Sequence, residues 1–298
     1  MSEQINVPAN EPIIAQREVT RHILNRFGIR TQKRLGQHFL VDEQVVRGIA
    51  AALELQPGMP VLEIGPGIGT LTQFLAMSGA AVTAVELDRR CIEIMATTLQ
   101  AYDNVKVVQG DVLAIDFAAV MGEGTFCIAG NLPYYITTPI MMKILEERIR
   151  AEKMVFMVQK EVADRMTCGP GTKDYGSLSV AVQYYTEARK LFEVPAGCFL
   201  PPPAVNSAVI LCTLRKTPPV EIPSEKLFFR VVRAAFGQRR KTLANALQGG
   251  GFAKAAVAAM LESTGIVGTR RGETLSMEEF AALSRAYYNG QEGAVDGE

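Results

Sequence analysis

Val61-Leu62-Glu63-Ile64-Gly65-Pro66-Gly67-Ile68-Gly69 passes from a short apolar run into three glycines separated by single residues. A continuous run of this kind suits a strand buried on both faces. Glycines directly after it let the backbone turn sharply from strand to helix and leave room for a ligand to approach the main chain. Similar runs recur at Ala81 to Val85, Val105 to Val108, Phe126 to Ala129 and Met154 to Val158, each separated by a stretch of helical character. The alternation predicts an α/β, Rossmann-like fold, a parallel sheet with helices packed on each side. Ligands in such sheets sit at the carboxyl ends of the strands, so the residues that follow each run are the ones to inspect.

After the second run stands Glu86, 21 residues beyond Gly65, where an acid binds the ribose hydroxyls of an adenosine-containing cofactor; Asp88 is the next candidate. Position 70, where a dinucleotide fingerprint places its third glycine, is Thr70. That favours S-adenosylmethionine over NAD, because a donor without a pyrophosphate does not need the backbone cradle at a helix N-terminus. Asp111 follows the third run and is a candidate acceptor for the adenine amine of that donor.

After the fourth run comes Asn131-Leu132-Pro133-Tyr134. An exocyclic amine on an aromatic ring is a poor nucleophile because its lone pair is delocalised. If the Asn131 side-chain oxygen and the Leu132 carbonyl accept its two protons, they favour pyramidal nitrogen and stabilise positive charge as a methyl group arrives. Tyr134 would stack on the target base, which must leave its helix or loop to be reached. Alone, the tetrapeptide reads equally well as a turn that ends a strand.

The chain has 298 residues, nearly half of them apolar, enough for one large domain and a smaller one. No stretch approaches the apolar length of a membrane span, and the N-terminal segment carries Glu3, Glu11 and Glu18 instead of a basic and then apolar leader. Five irregularly spaced cysteines and two histidines disfavour a metal site and suit reduced thiols, which points to the cytoplasm. Formal net charge is zero, yet twelve of the 31 basic residues fall in two short windows, 17–34 and 226–241. Those windows are candidate contacts to nucleic-acid phosphates, with Arg34, Arg233, Arg239, Arg240 and Lys241 the residues of choice; as plain charge runs they also read as solvated helix faces.

In domain terms, residues 1–30 read as a helical arm, with Arg17 and Arg21, and Arg26, Arg30 and Arg34, spaced to share faces. The α/β domain is expected over 31–215, a proline-rich linker over 216–224, and a small all-α domain over 225–298 with helices near 225–236, 239–248, 252–264 and 276–288. Asp42 and Ser224 are expected helix caps. Cys168 to Gly176 reads as a mobile loop. Phe199, ahead of the stiff Pro201 to Pro203 segment, is a candidate aromatic opposite Tyr134, although alone it reads as a core residue, as His38 reads as a packing one.

Together, Leu35-Gly36-Gln37-His38-Phe39-Leu40, Glu63-Ile64-Gly65-Pro66-Gly67, Val85-Glu86-Leu87-Asp88, Gly110-Asp111, Asn131-Leu132-Pro133-Tyr134, Gln159-Lys160-Glu161-Val162 and Phe199 to Ser207 closely resemble the ribosomal RNA adenine dimethyltransferases. The similarity runs from about residue 30 to 285 and is greatest to the KsgA/RsmA branch. It implies an S-adenosylmethionine-dependent methyltransferase that forms N6,N6-dimethyladenine at two adjacent adenines near the 3′ end of 16S rRNA, in an immature small ribosomal subunit. It also implies donor contacts at His38, Leu40, Gly65, Gly67, Glu86, Asp111 and Asn131, and target contacts at Asn131, Leu132, Tyr134 and Phe199. Many relatives carry Asn where this chain has His38. The rivals are the large-subunit adenine methyltransferases of macrolide resistance and a ribosome-assembly factor for which catalysis is secondary.

Overall fold

The computed structural model describes residues 11–29 and 37–295. In chain order its elements are α1 (Arg17–Arg26), β1 (Phe39–Leu40), α2 (Glu43–Ala52), β2 (Pro60–Ile64), α3 (Thr70–Met77), β3 (Ala81–Glu86), α4 (Arg89–Thr98), β4 (Val105–Gln109), α5 (Phe117–Met121) and β5 (Phe126–Asn131). They continue as α6 (Thr137–Glu146), β6 (Ala151–Gln159), α7 (Lys160–Thr167), α8 (Ser177–Tyr185), β7 (Thr186–Val194), β8 (Phe199–Leu200), β9 (Ser207–Leu214), α9 (Glu225–Phe236), α10 (Leu243–Gly249), α11 (Lys254–Thr264) and α12 (Met277–Val295).

A seven-stranded sheet runs in the order β4-β3-β2-β5-β6-β9-β7. The strands β2 to β6 are parallel where they pair, and β9 returns antiparallel to β6 from Lys153↔Thr213 to Gln159↔Ser207. This is the Rossmann-like architecture that the apolar runs predict. Because β3 and β4 extend one way from β2 while β5 and β6 extend the other, the order reverses between β2 and β5, and a crevice opens there at the strand ends. Backbones approach closely at that point. A Cβ added at Gly130 would lie 2.8 Å from the Ile64 carbonyl oxygen and 3.1 Å from Leu132 Cδ2. Gly130→Ala is therefore expected to cost about 1–3 kcal/mol as the strands are forced apart. A wild-type urea midpoint for that variant would refute the tight fit.

The expected caps form. Asp42 accepts from the Gln44 and Val45 amides, and Ser224 accepts from that of Leu227. Helix α1 buries Thr20, Ile23 and Leu24 in the core of the sheet domain, and Gln73 ties the segment before it by accepting from Ile14 N and donating to Pro12 O. The expected arm is thus packed against the domain, with Arg17, Arg21 and Arg26 exposed. The helix ends at Arg26 and Gly28 follows with a left-handed φ of +62°; Arg30, Lys33 and Arg34 lie outside the described residues.

Two compact units divide the chain, one running to Ala163 and including Ala188–Leu214, the other joining Asp164–Glu187 to the residues from Arg215 onward. The sequence boundary at 215 differs from this division because an aromatic seam holds α8 to α9. Tyr184 packs on Phe228 with ring centroids 5.3 Å apart, and Tyr185 stacks on Phe229 at 5.6 Å. Both tyrosine hydroxyls donate to Glu225.

Candidate active site

The cleft at the sheet's switch point encloses about 1150 Å³ of space, mouth included, of the order expected for a small-molecule site. From one side it is lined by the β2 turn. Gly65, Gly67 and Gly69 take φ of +67°, +59° and +91°, a conformation that side-chain-bearing residues rarely adopt. Glu86, at the end of β3, closes this turn: its carboxylate accepts from the Gly67 amide at 3.0 Å and from the Asp88 amide at 2.8 Å. With the Leu87 amide also contributing, the carboxylate still keeps acceptor capacity for a ligand hydroxyl. Burial raises the Glu86 pKa, and the backbone amides offset part of that. Asp111, at the end of the β4 turn, also lines the cleft, with one oxygen taken by the Leu113 amide.

Glu63 was not singled out from sequence, where one acid inside an apolar strand is an interruption without a partner. In the structure it lines the same cleft at 1% exposure. Burial pushes its pKa up to about 8, with the nearby Glu86 adding to the rise. The neighbouring Thr72 hydroxyl offsets part of the rise, although Glu63 Oε2 and Thr72 Oγ1 fall short of well-formed hydrogen-bond geometry. Three acidic side chains thus border the cleft, Glu63 as the protonated acid near neutral pH, and among the described residues no lysine or arginine borders it. Such a lining repels a pyrophosphate and suits an adenosine ligand that carries positive charge.

From the other side the cleft is lined by Asn131, Leu132 and Tyr134. Asn131 Nδ2 donates to the His38 carbonyl at 3.2 Å, which leaves Oδ1 as the free acceptor. Pro133 removes the next donor, and among the described residues nothing donates to the Leu132 carbonyl. The Tyr134 hydroxyl is fixed to Ser207 Oγ at 2.7 Å, and its ring stacks against that of His38 with centroids 5.9 Å apart. His38 Nδ1 faces the Pro201 carbonyl at 2.9 Å and must be the protonated nitrogen, since a carbonyl only accepts. Leu40, with His38, completes this wall.

Phe199 is placed differently from the expectation of a ring opposite Tyr134. It is 1% exposed, and β8 pairs antiparallel with β1 (Leu40↔Phe199), so its ring joins the core behind the site. The ring that meets Tyr134 is His38.

In the second unit, Arg239, Arg240 and Lys241 occupy the exposed turn between α9 and α10, where the sequence reading expected helix from 239. Thr242 caps α10 and delays its start. Arg233 is exposed at the end of α9 and borders a second open cleft with Arg230 and Gln238. Among the described residues none of Arg233, Arg239, Arg240 and Lys241 forms an ion pair with an acid. Arg34 lies outside the described residues. Among those residues there is also no group of three or more His, Cys, Asp or Glu side chains able to hold a metal ion, and no helix is long and apolar enough to cross a membrane.

The chain is 50% identical over 276 residues, 90% of its length, to a protein of Geobacillus thermodenitrificans named ribosomal RNA small subunit methyltransferase A, of which it covers 94%. A Moorella thermoacetica protein of the same name is 49% identical, with 89% of this chain and 96% of that one covered. Among solved structures, the 23S rRNA methyltransferase ErmE superposes with a TM-score of 0.65 at 27% identity, covering 84% of this chain and 99% of that one. A dimethyladenosine transferase from Plasmodium falciparum gives a TM-score of 0.72 at 24% identity, covering 85% and 98%, and supports the fold. The ribosomal RNA adenine dimethylase family matches residues 16–283, and with the relatives above this makes the chain a member of that family.

Proposed function

We propose that this protein uses S-adenosylmethionine to dimethylate N6 of two adjacent adenines near the 3′ end of 16S rRNA, within an immature small subunit in the cytoplasm. The observation that carries the reading is the convergence, in one cleft, of the β2 glycine turn and the unpaired acceptor oxygens at the end of β5. The donor supplies a methyl group activated by its sulfonium. Gly65 and Gly67 leave the backbone open to it, Glu86 and Asp111 offer carboxylate oxygens to its ribose and adenine, and His38, Leu40 and Asn131 border it. Glu63, which keeps its proton up to about pH 8, is a buried neutral acid in the same lining.

The protein's part in the chemistry is to hold the target amine. Asn131 Oδ1 and the Leu132 carbonyl accept its two protons, draw its lone pair out of the ring and stabilise the positive charge that grows on nitrogen. Tyr134, held by Ser207, provides a face for the base after it leaves its stack. No general base is required, because the proton on the alkylated nitrogen is acidic enough to pass to water. Arg233, Arg239, Arg240 and Lys241 position the RNA through its phosphates without reading sequence.

Mass spectrometry of rRNA from cells with and without the protein is the direct test. Two dimethyladenines in 16S rRNA that disappear with the gene are expected. Modified 23S rRNA instead would favour the large-subunit reading, which the 27% identical ErmE structure keeps in view. Reversing the charges of Arg239, Arg240 and Lys241 is expected to weaken RNA binding, with donor affinity unchanged. The slope of log K against log salt should shrink by about one for each phosphate that is no longer neutralised. An unchanged slope would remove this turn from the RNA-binding surface.

A further inference from the structure

Tyr135 follows Tyr134 directly, and both line the same cleft, but the two rings are treated differently. Tyr134 is half-buried, with its hydroxyl on Ser207 and its ring on His38. Tyr135 is 55% exposed, and no hydrogen bond or ring contact ties it to the described residues. Across the cleft, Leu87 is also open, at 53% exposure. An aromatic ring left in water at the mouth of a site, one residue from the ring that faces inward, is a surface without an occupant inside the chain.

A base drawn into the cleft abandons its neighbour in the strand and exposes one face of it. Aromatic side chains compensate for such losses because every base has a π-face. Consecutive residues of the protein are 3.8 Å apart at Cα, so adjacent rings are able to receive adjacent nucleotides. We propose that Tyr135 positions the substrate by stacking on the nucleotide beside the target adenine, so that extruded base and neighbour are held by consecutive tyrosines. This rests on the reading of the cleft as an adenine methylation site. With two adjacent target adenines, the neighbour is itself a target. Stacking reads the face of the base and ignores its N6 edge, so the same ring receives a neighbour that is unmodified or already dimethylated.

The test uses the full-length protein, small-subunit particles for kinetics, and a single-stranded RNA oligonucleotide with 2-aminopurine beside one adenine for binding. Tyr135→Ala should raise KM for the particles by roughly 5- to 150-fold, leave kcat within about twofold and leave donor KM unchanged. Tyr135→Phe, which keeps the face and loses only the hydroxyl, should behave as wild type. 2-Aminopurine fluorescence should be quenched on binding wild type and Tyr135→Phe, and remain bright with Tyr135→Ala. A Tyr135→Ala protein with wild-type KM and quenching overturns the proposal, as does a Tyr135→Phe protein as impaired as Tyr135→Ala. If wild type methylates no adenine, the reading of the cleft falls first and takes this proposal with it. A methylating wild type matched by Tyr135→Ala overturns the stacking platform alone.

Discussion

Asn131→Ala is expected to slow methyl transfer about 10²- to 10³-fold in single-turnover experiments with saturating donor and RNA. The side chain has two jobs. Its Nδ2 fastens the His38 carbonyl, and its Oδ1 is left with no donor inside the protein. Under the proposed chemistry alanine removes an acceptor for the growing positive charge at the amine, and losing one such preorganised partner costs about 2.7–4 kcal/mol of barrier. Asn131→Asp separates the two jobs. It keeps an acceptor oxygen and abolishes donation to His38, so it should bind RNA like wild type yet hold the 38–40 wall less firmly. Full-rate dimethylation by Asn131→Ala would sink the proposed chemistry, since the remaining Leu132 carbonyl cannot hold both protons of the amine.

Glu63 carries the second large effect. A carboxyl group held near pKa 8 in the fold, against about 4.5 when free, binds its proton more tightly folded than unfolded. Below about pH 4.5 both states are protonated and the group is neutral in its effect. As pH rises from there toward 8 the unfolded chain gives up the proton and the folded one does not, so stability falls. By pH 8 the accumulated penalty is on the order of 5 kcal/mol, and Glu86, also raised by burial, acts in the same direction. Glu63→Gln removes this titration. Urea unfolding across pH 5 to 8.5 should show the wild type losing stability relative to Glu63→Gln, the difference growing steadily with pH. Parallel curves would mean that Glu63 is ionised in the folded protein.

Much of this architecture is legible in the sequence because buried parallel strands leave continuous apolar runs. Val61 to Ile64 and Phe126 to Ala129 could be placed, and the strand-end rule then singled out Gly65 and Asn131. β7 was missed for the opposite reason. Thr186–Val194 is the edge strand, carries Glu187, Arg189, Lys190 and Glu193, and buries little beyond its two ends, as sheet edges do to avoid pairing. Tertiary placement was likewise hidden. Nothing local distinguishes a phenylalanine facing a cleft from one turned into the core, and only the pairing of β8 with β1 decides it for Phe199. The same holds for Glu63, whose burial becomes evident only when the strands on either side of it are in place.

The two-residue ribbon of β1 with β8, reinforced by His38 Nδ1 donating to the Pro201 carbonyl, joins the 38–40 wall of the cleft to the stretch that leads to Ser207, the partner of Tyr134. The two walls are therefore joined by strand pairing and by the His38 ring. If donor and base bind as proposed, the two walls share one hydrogen-bonded ribbon, and exchange of a spent donor between first and second methyl would be felt where the half-finished base is held.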